Sequence, residues 1–93
     1  MRYNNDNNPS VGEENTYMLI PNPATNMVSI ERKENYPLND EILLIEVFSM
    51  NGQKVLTKES SSQFDVSRLS DGTYIVKVVT VKNNYEYLKL IKK

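Results

Sequence analysis

The chain has no histidine and no cysteine. Histidine is the commonest metal ligand and the usual general base near neutral pH. Its absence removes most familiar catalytic chemistry. Without cysteine there is no disulfide, no thiol nucleophile and no zinc-finger ligand set. That absence fits an exported protein and a cytoplasmic one equally well. Tryptophan is missing too, which leaves Tyr36, Tyr85 and Tyr87 a thin basis for a sugar-binding platform. Glycine is scarce at 3 residues, so each one marks a backbone need. The longest apolar run is Ile42-Leu43-Leu44-Ile45, far short of the roughly 20 residues of a membrane-spanning helix. The first twenty residues hold no apolar stretch of signal-peptide type. If the domain is exported, its address lies on a longer parent chain.

Charge is balanced as well. Eleven basic and twelve acidic residues give a net charge of -1, which is poor material for binding nucleic acid. The carboxylate pairs Asp40-Glu41 and Glu13-Glu14 are adjacent in sequence. On a strand, adjacent side chains point to opposite faces, so neither makes an acid/base pair. No serine sits in a nucleophile elbow, no Gly-rich loop cradles phosphate, and no calcium loop is present. The expectation is a domain with no catalytic residues, no metal and no cofactor.

What remains is enough for one small domain. Val, Ile, Leu and Phe make up about 27% of the 93 residues, above the roughly 20% below which chains tend to stay disordered. Residues 1–15 are rich in Asn and read as a flexible linker, because they offer little to bury. Residues 16–93 read as the folded domain.

Within that domain the pattern is short apolar strands between polar turns, with no helical period of useful length. Strands are expected at Tyr17–Ile20, Met27–Glu31, Ile42–Met50, Gln53–Lys58, Phe64–Val66, Thr73–Val81 and Tyr85–Lys92. About seven strands at this spacing indicate an all-β, Ig-like antiparallel β-sandwich. Leu43, Ile45 and Val47 are expected on one face of their strand. Asn51-Gly52 reads as a type I′ hairpin turn, with both residues at positive φ. For the last hairpin, a three-residue loop Lys82-Asn83-Asn84 pairs Val78 with Leu88 and Val76 with Leu90, and puts Asn84 in the left-handed region. One face then carries Tyr74, Val76, Val78, Leu88 and Leu90, a credible core. Tyr74, just after the Gly72 turn, is expected to bond back to nearby backbone and pin the corner.

The opposite face of that hairpin carries Ile75, Lys77, Val79, Val81, Tyr85, Tyr87, Lys89 and Ile91. It is too apolar for a plain solvated surface. Either a loop or the first strand covers part of it, or it docks another protein.

Four segments, in order, resemble the C-terminal sorting domain of the type IX (Por) secretion system. Ile20-Pro21-Asn22-Pro23-Ala24-Thr25-Asn26 is similar to the family's opening segment. Val47–Val55, around Asn51-Gly52, is similar to its central strand, turn and strand. Leu69-Ser70-Asp71-Gly72-Thr73-Tyr74, running on to Val78, is similar to its Gly-Tyr stretch. Lys89-Leu90-Ile91-Lys92-Lys93 is similar to its basic and apolar ending. Asp71 stands where proline is frequent.

The resemblance implies a secretion signal rather than an enzyme. It implies a covalently linked N-terminal cargo, carried from the periplasm through an outer-membrane translocon to the surface of a Gram-negative bacterium. A sortase-like peptidase would usually remove the domain within the linker and attach the cargo to the cell surface. Tyr85, Tyr87, Lys89, Leu90, Ile91, Lys92 and Lys93 are the expected recognition residues. Pro21, Asn22, Pro23, Asn51, Gly52, Leu69, Gly72 and Tyr74 are expected to serve the fold. The edge of the last hairpin is expected to be unpaired, which would allow a strand-swapped or edge-paired homodimer. The rival readings are a non-catalytic Ig-like adhesion or spacer module, and a protease inhibitor presenting the loop Lys33 to Asp40.

Overall fold

Alternation with period two dominates the structure, a computed structural model that describes residues 16–33 and 40–93. Residues 1–15, read as a linker, lie outside the described residues. So do residues 34–39, the body of the loop that holds Tyr36 and Pro37. Among the described residues seven strands form: β1 (Tyr17–Ile20), β2 (Met27–Arg32), β3 (Ile42–Ser49), β4 (Lys54–Glu59), β5 (Gln63–Asp65), β6 (Gly72–Thr80) and β7 (Tyr85–Lys92). There is no helix among the described residues. The strands make two antiparallel sheets, β1-β2-β5 and β4-β3-β6-β7. The all-β sandwich expected from the sequence is what the chain forms.

Every second residue of each long strand points inward. Tyr74, Val76 and Val78 of β6, Leu88 and Leu90 of β7, and Ile45 and Val47 of β3 are buried. Tyr17, Leu19, Val28, Ile30 and Phe64 meet them from the three-stranded sheet. Burying each such side chain is worth about 1.5–3 kcal/mol, so this layer holds the two sheets together.

Both well-defined hairpin loops have three residues and the same hydrogen bonds. In the first, Ser49 N–H donates to Gln53 O (2.8 Å) and Gly52 N–H to Ser49 O (2.9 Å). Only Gly52, at φ 90°, is left-handed. The expected type I′ turn is therefore replaced by the loop Met50-Asn51-Gly52. Asn51 instead uses its side chain, whose Oδ1 accepts from Ser49 Oγ and from Gln53 N–H.

The second loop is Val81-Lys82-Asn83, closed by Thr80 N–H to Asn84 O (2.8 Å) and Asn83 N–H to Thr80 O (2.9 Å). Asn83, at φ 70°, takes the left-handed position expected for Asn84. Val76 pairs with Leu88 and Tyr74 with Leu90, two residues from the expected register. Because the shift is even, each face keeps its expected residues. The anchor is Asp40, whose carboxylate holds Thr80 Oγ1, Lys82 N–H and Asn84 Nδ2.

Leu43 does not share a face with Ile45 and Val47. The β3–β6 register shifts between Ile42 and Leu44. This bulge leaves Leu43 47% exposed, while Ile42 packs against the core. An extra residue in one strand reverses the alternation at that point. Tyr74 behaves as expected: it is buried, and its hydroxyl donates to Ser70 O at 2.6 Å.

Candidate functional site

β7 is the last strand of the four-stranded sheet, and its residues divide by face. Leu90 is fully buried and Lys92 is only 7% exposed. Lys92 Nζ lies 3.7 Å from Asp71 Oδ1. Asp71, the residue standing where proline is frequent, thus partners the buried lysine. In the folded domain Leu90 and Lys92 support the strand from beneath rather than presenting themselves to solvent.

The outer face carries the other expected residues. Tyr85 is 63% exposed and Tyr87 39%. Their rings meet edge to face, with centroids 5.8 Å apart. Lys77 of β6 sets its Nζ over both rings, at 5.3 and 5.9 Å. Cation–π contacts at exposed sites contribute about 0.5–1 kcal/mol each, so the lysine orders this corner of the sheet. Glu46, Lys77 and Tyr87 form one row across three strands. Phe48, Met50, Ile75 and Tyr87 line a shallow hollow beside it, of about 350 Å³. Glu46 bonds Lys54 at 2.8 Å on the far side. Lys89 and Lys93 are exposed, and Ile91 is half-buried. Among the described residues no strand packs across this face.

The outer edge of β7 is not bare, which corrects the expectation of an unpaired edge. Its carboxyl-terminal half is taken by the segment after β1. Asn22 Nδ2 donates to Lys89 O at 2.8 Å, and Ile91 N–H donates to Asn22 Oδ1 at 2.9 Å. Ala24 N–H then donates to Ile91 O, and Lys93 N–H to Ala24 O, both at 2.8 Å. Ala24 and Lys92 form a parallel bridge. Both X-Pro bonds around Asn22 are cis. Edge pairing between copies cannot use this half of the strand while the clasp is closed.

At the other end of β7, Glu86 accepts from Thr16 N–H (3.1 Å) and Tyr17 N–H (2.9 Å). It thereby fixes where the chain enters the domain. Sequence reasoning missed Glu86, as it missed Asp40. A groove of about 410 Å³ there is lined by Tyr17, Arg32, Asp40, Thr80, Asn84 and Glu86. Burial pushes the Tyr17 hydroxyl pKa up, against the pull of Arg32 and with the help of Asp40 and Glu86. Desolvation alone would raise the Asp40 pKa. Hydrogen bonds from Asn84, Thr80 and Lys82 N–H outweigh it and hold the carboxyl below its usual range. Among the described residues no three carboxylates, histidines or cysteines gather as a metal site.

The four sequence motifs now form one structure. The Pro21–Ala24 segment lies along β7, Asn51-Gly52 turns β3 into β4, Leu69–Tyr74 makes the corner into β6, and the Lys89–Lys93 ending is the clasped strand. The family model described as "Secretion system C-terminal sorting domain" matches residues 18–93. The chain belongs to this family. No curated protein matches it.

This sorting domain is a C-terminal signal for type IX secretion. It works with the secretion machinery and with a cargo region on its N-terminal side. Its route leads to the surface of a Gram-negative bacterium or out of the cell. Of the residues expected to be read, the sorting domain gathers Tyr85, Tyr87, Lys89 and Ile91 on one face. It turns Leu90 and Lys92 inward and leaves Lys93 at the end of the clasp.

Proposed function

We propose that the secretion machinery reads the outer face and carboxyl end of β7, with Tyr85, Tyr87, Lys89, Ile91 and Lys93 as the contact residues. Leu90 and Lys92 hold that surface in place. The outer-membrane translocon is the reader, met from the periplasm, and the domain performs no chemistry of its own. A sortase-like peptidase then cuts in the linker, within or before residues 4–15, upstream of the point that Glu86 fixes.

The observation that supports this reading is the pair of exposed tyrosines around Lys77, on a face that no described strand covers. Aromatic residues beside a cation suit recognition, because they offer large apolar area and a polar rim together. A periplasmic reporter fused ahead of residues 1–93 tests it. Translocon-dependent surface delivery is expected, with loss in Tyr85→Ser/Tyr87→Ser. Deleting Lys89–Lys93 is a poorer test, since it also removes buried Leu90 from the core.

A further inference from the structure

We infer that Asn22 is a positioning residue for the sorting signal: its carboxamide serves as a detached peptide group that pairs with the edge of β7 and holds Lys89–Lys93 in the shape that is read. The inference rests on the reading of β7 given above and extends it to a residue on another strand connection.

A neighbouring strand satisfies an edge with one N–H donor and one C=O acceptor per pair of residues. The Asn22 side chain supplies that same set, donating to Lys89 O and accepting from Ile91 N–H. Ala24 continues the pattern with true backbone groups, bonding Ile91 O and Lys93 N–H. Four consecutive outward-facing groups of the strand end are thus satisfied, two by a side chain and two by backbone. Pro21 and Pro23 flank Asn22, and neither has an N–H to offer a ladder. The side chain between them is what meets the strand. Asparagine fits because it carries donor and acceptor on one short planar group. Aspartate keeps an acceptor for Ile91 N–H but faces Lys89 O with no donor. Alanine keeps neither.

Asn22 is itself exposed, and Leu88 and Leu90 anchor β7 in the core independently. The domain is therefore expected to stay folded without the carboxamide, while its last residues lose their fixed edge. Removing the hydrogen bond is expected to speed exchange of the Ile91 amide roughly tenfold.

The test compares wild type, Asn22→Asp and Asn22→Ala in two measurements. One is amide hydrogen exchange of Ile91 and Lys93 in the 93-residue chain, with the melting temperature recorded beside it. The other is surface delivery of the reporter fused to the same chain. The expected order for both Ile91 protection and delivery is wild type, then Asp, then Ala, with Ala delivering at least about tenfold less while its melting temperature falls only by the few degrees that loss of exposed hydrogen bonds costs. Wild-type delivery by Asn22→Ala with a deprotected Ile91 amide overturns the inference. So does unchanged Ile91 protection in that variant. The tyrosine variants report separately on the outer face: their normal delivery, with Asn22→Ala still retained in the cell, sinks the contact surface and leaves the clasp standing.

Discussion

Asp40 and Thr80 are joined by a hydrogen bond of 2.7 Å across 40 residues of sequence. The same carboxylate takes Lys82 N–H at 3.0 Å and Asn84 Nδ2 at 2.9 Å. One side chain thus gathers the loop between the two strands that carry the signal face. Asp65 does a smaller version of this at the corner after β5, where it accepts from Ser67 N–H at 2.8 Å.

An acid-sensitive stability follows from these carboxylates. Desolvation at Asp40 is outweighed by hydrogen bonds from Asn84, Thr80 and Lys82 N–H, and at Asp65 the Ser67 N–H bond is the main cause, so both carboxyls are held below the usual carboxylate range in the folded state. A depressed folded pKa gives stability that is complete above the unfolded value and lost as pH falls through the folded one. Thermal unfolding should therefore show a falling melting temperature below about pH 4. Asp40→Asn should melt lower at neutral pH and lose less on acidification. An equal acid slope in the two proteins would remove Asp40 from this account.

Leu90 and Lys89 are neighbours with opposite surroundings. Leu90→Ala leaves a hole in the core and should cost about 2–5 kcal/mol by urea unfolding. Lys89→Ala removes an exposed side chain and should stay within about 0.5 kcal/mol. Comparable losses would mean that the faces of β7 are assigned the wrong way round.

Tyr74→Phe deletes only the hydroxyl that bonds Ser70 O. The ring stays buried against the core. A loss of about 0.5–1.5 kcal/mol is expected from one such bond, measurable by urea unfolding. Surface delivery should be retained, because the buried ring keeps its place opposite Leu90 and the outward-facing side chains of β7 are untouched.

Much of this was legible in the sequence because it is periodic. Alternation gave the seven strands and sorted Val76, Val78, Leu88 and Leu90 from Lys77, Tyr85, Tyr87 and Lys89. Sequence pattern puts the loop of the last hairpin one residue late, because its anchor, Asp40, is remote in sequence. Apolar spacing puts Leu43 on one face with Ile45 and Val47, because a bulge leaves no mark on that spacing. Lys92 counts among the expected recognition residues, while the fold gives it an inward position beside Asp71, because the alternation that buries Leu88 and Leu90 runs on to the end of the strand. The role of Asn22 depends on a partner 69 residues away, and nothing in its own neighbourhood announces it.

The most direct test of the central claim is surface delivery measured against folded stability across a small set of variants. Tyr85→Ser/Tyr87→Ser should melt close to wild type yet leave the reporter in the periplasm. Tyr74→Phe should melt lower yet reach the surface. Wild-type delivery by the folded tyrosine variant, or delivery that simply follows melting temperature across the set, would contradict the claim that the machinery reads this face.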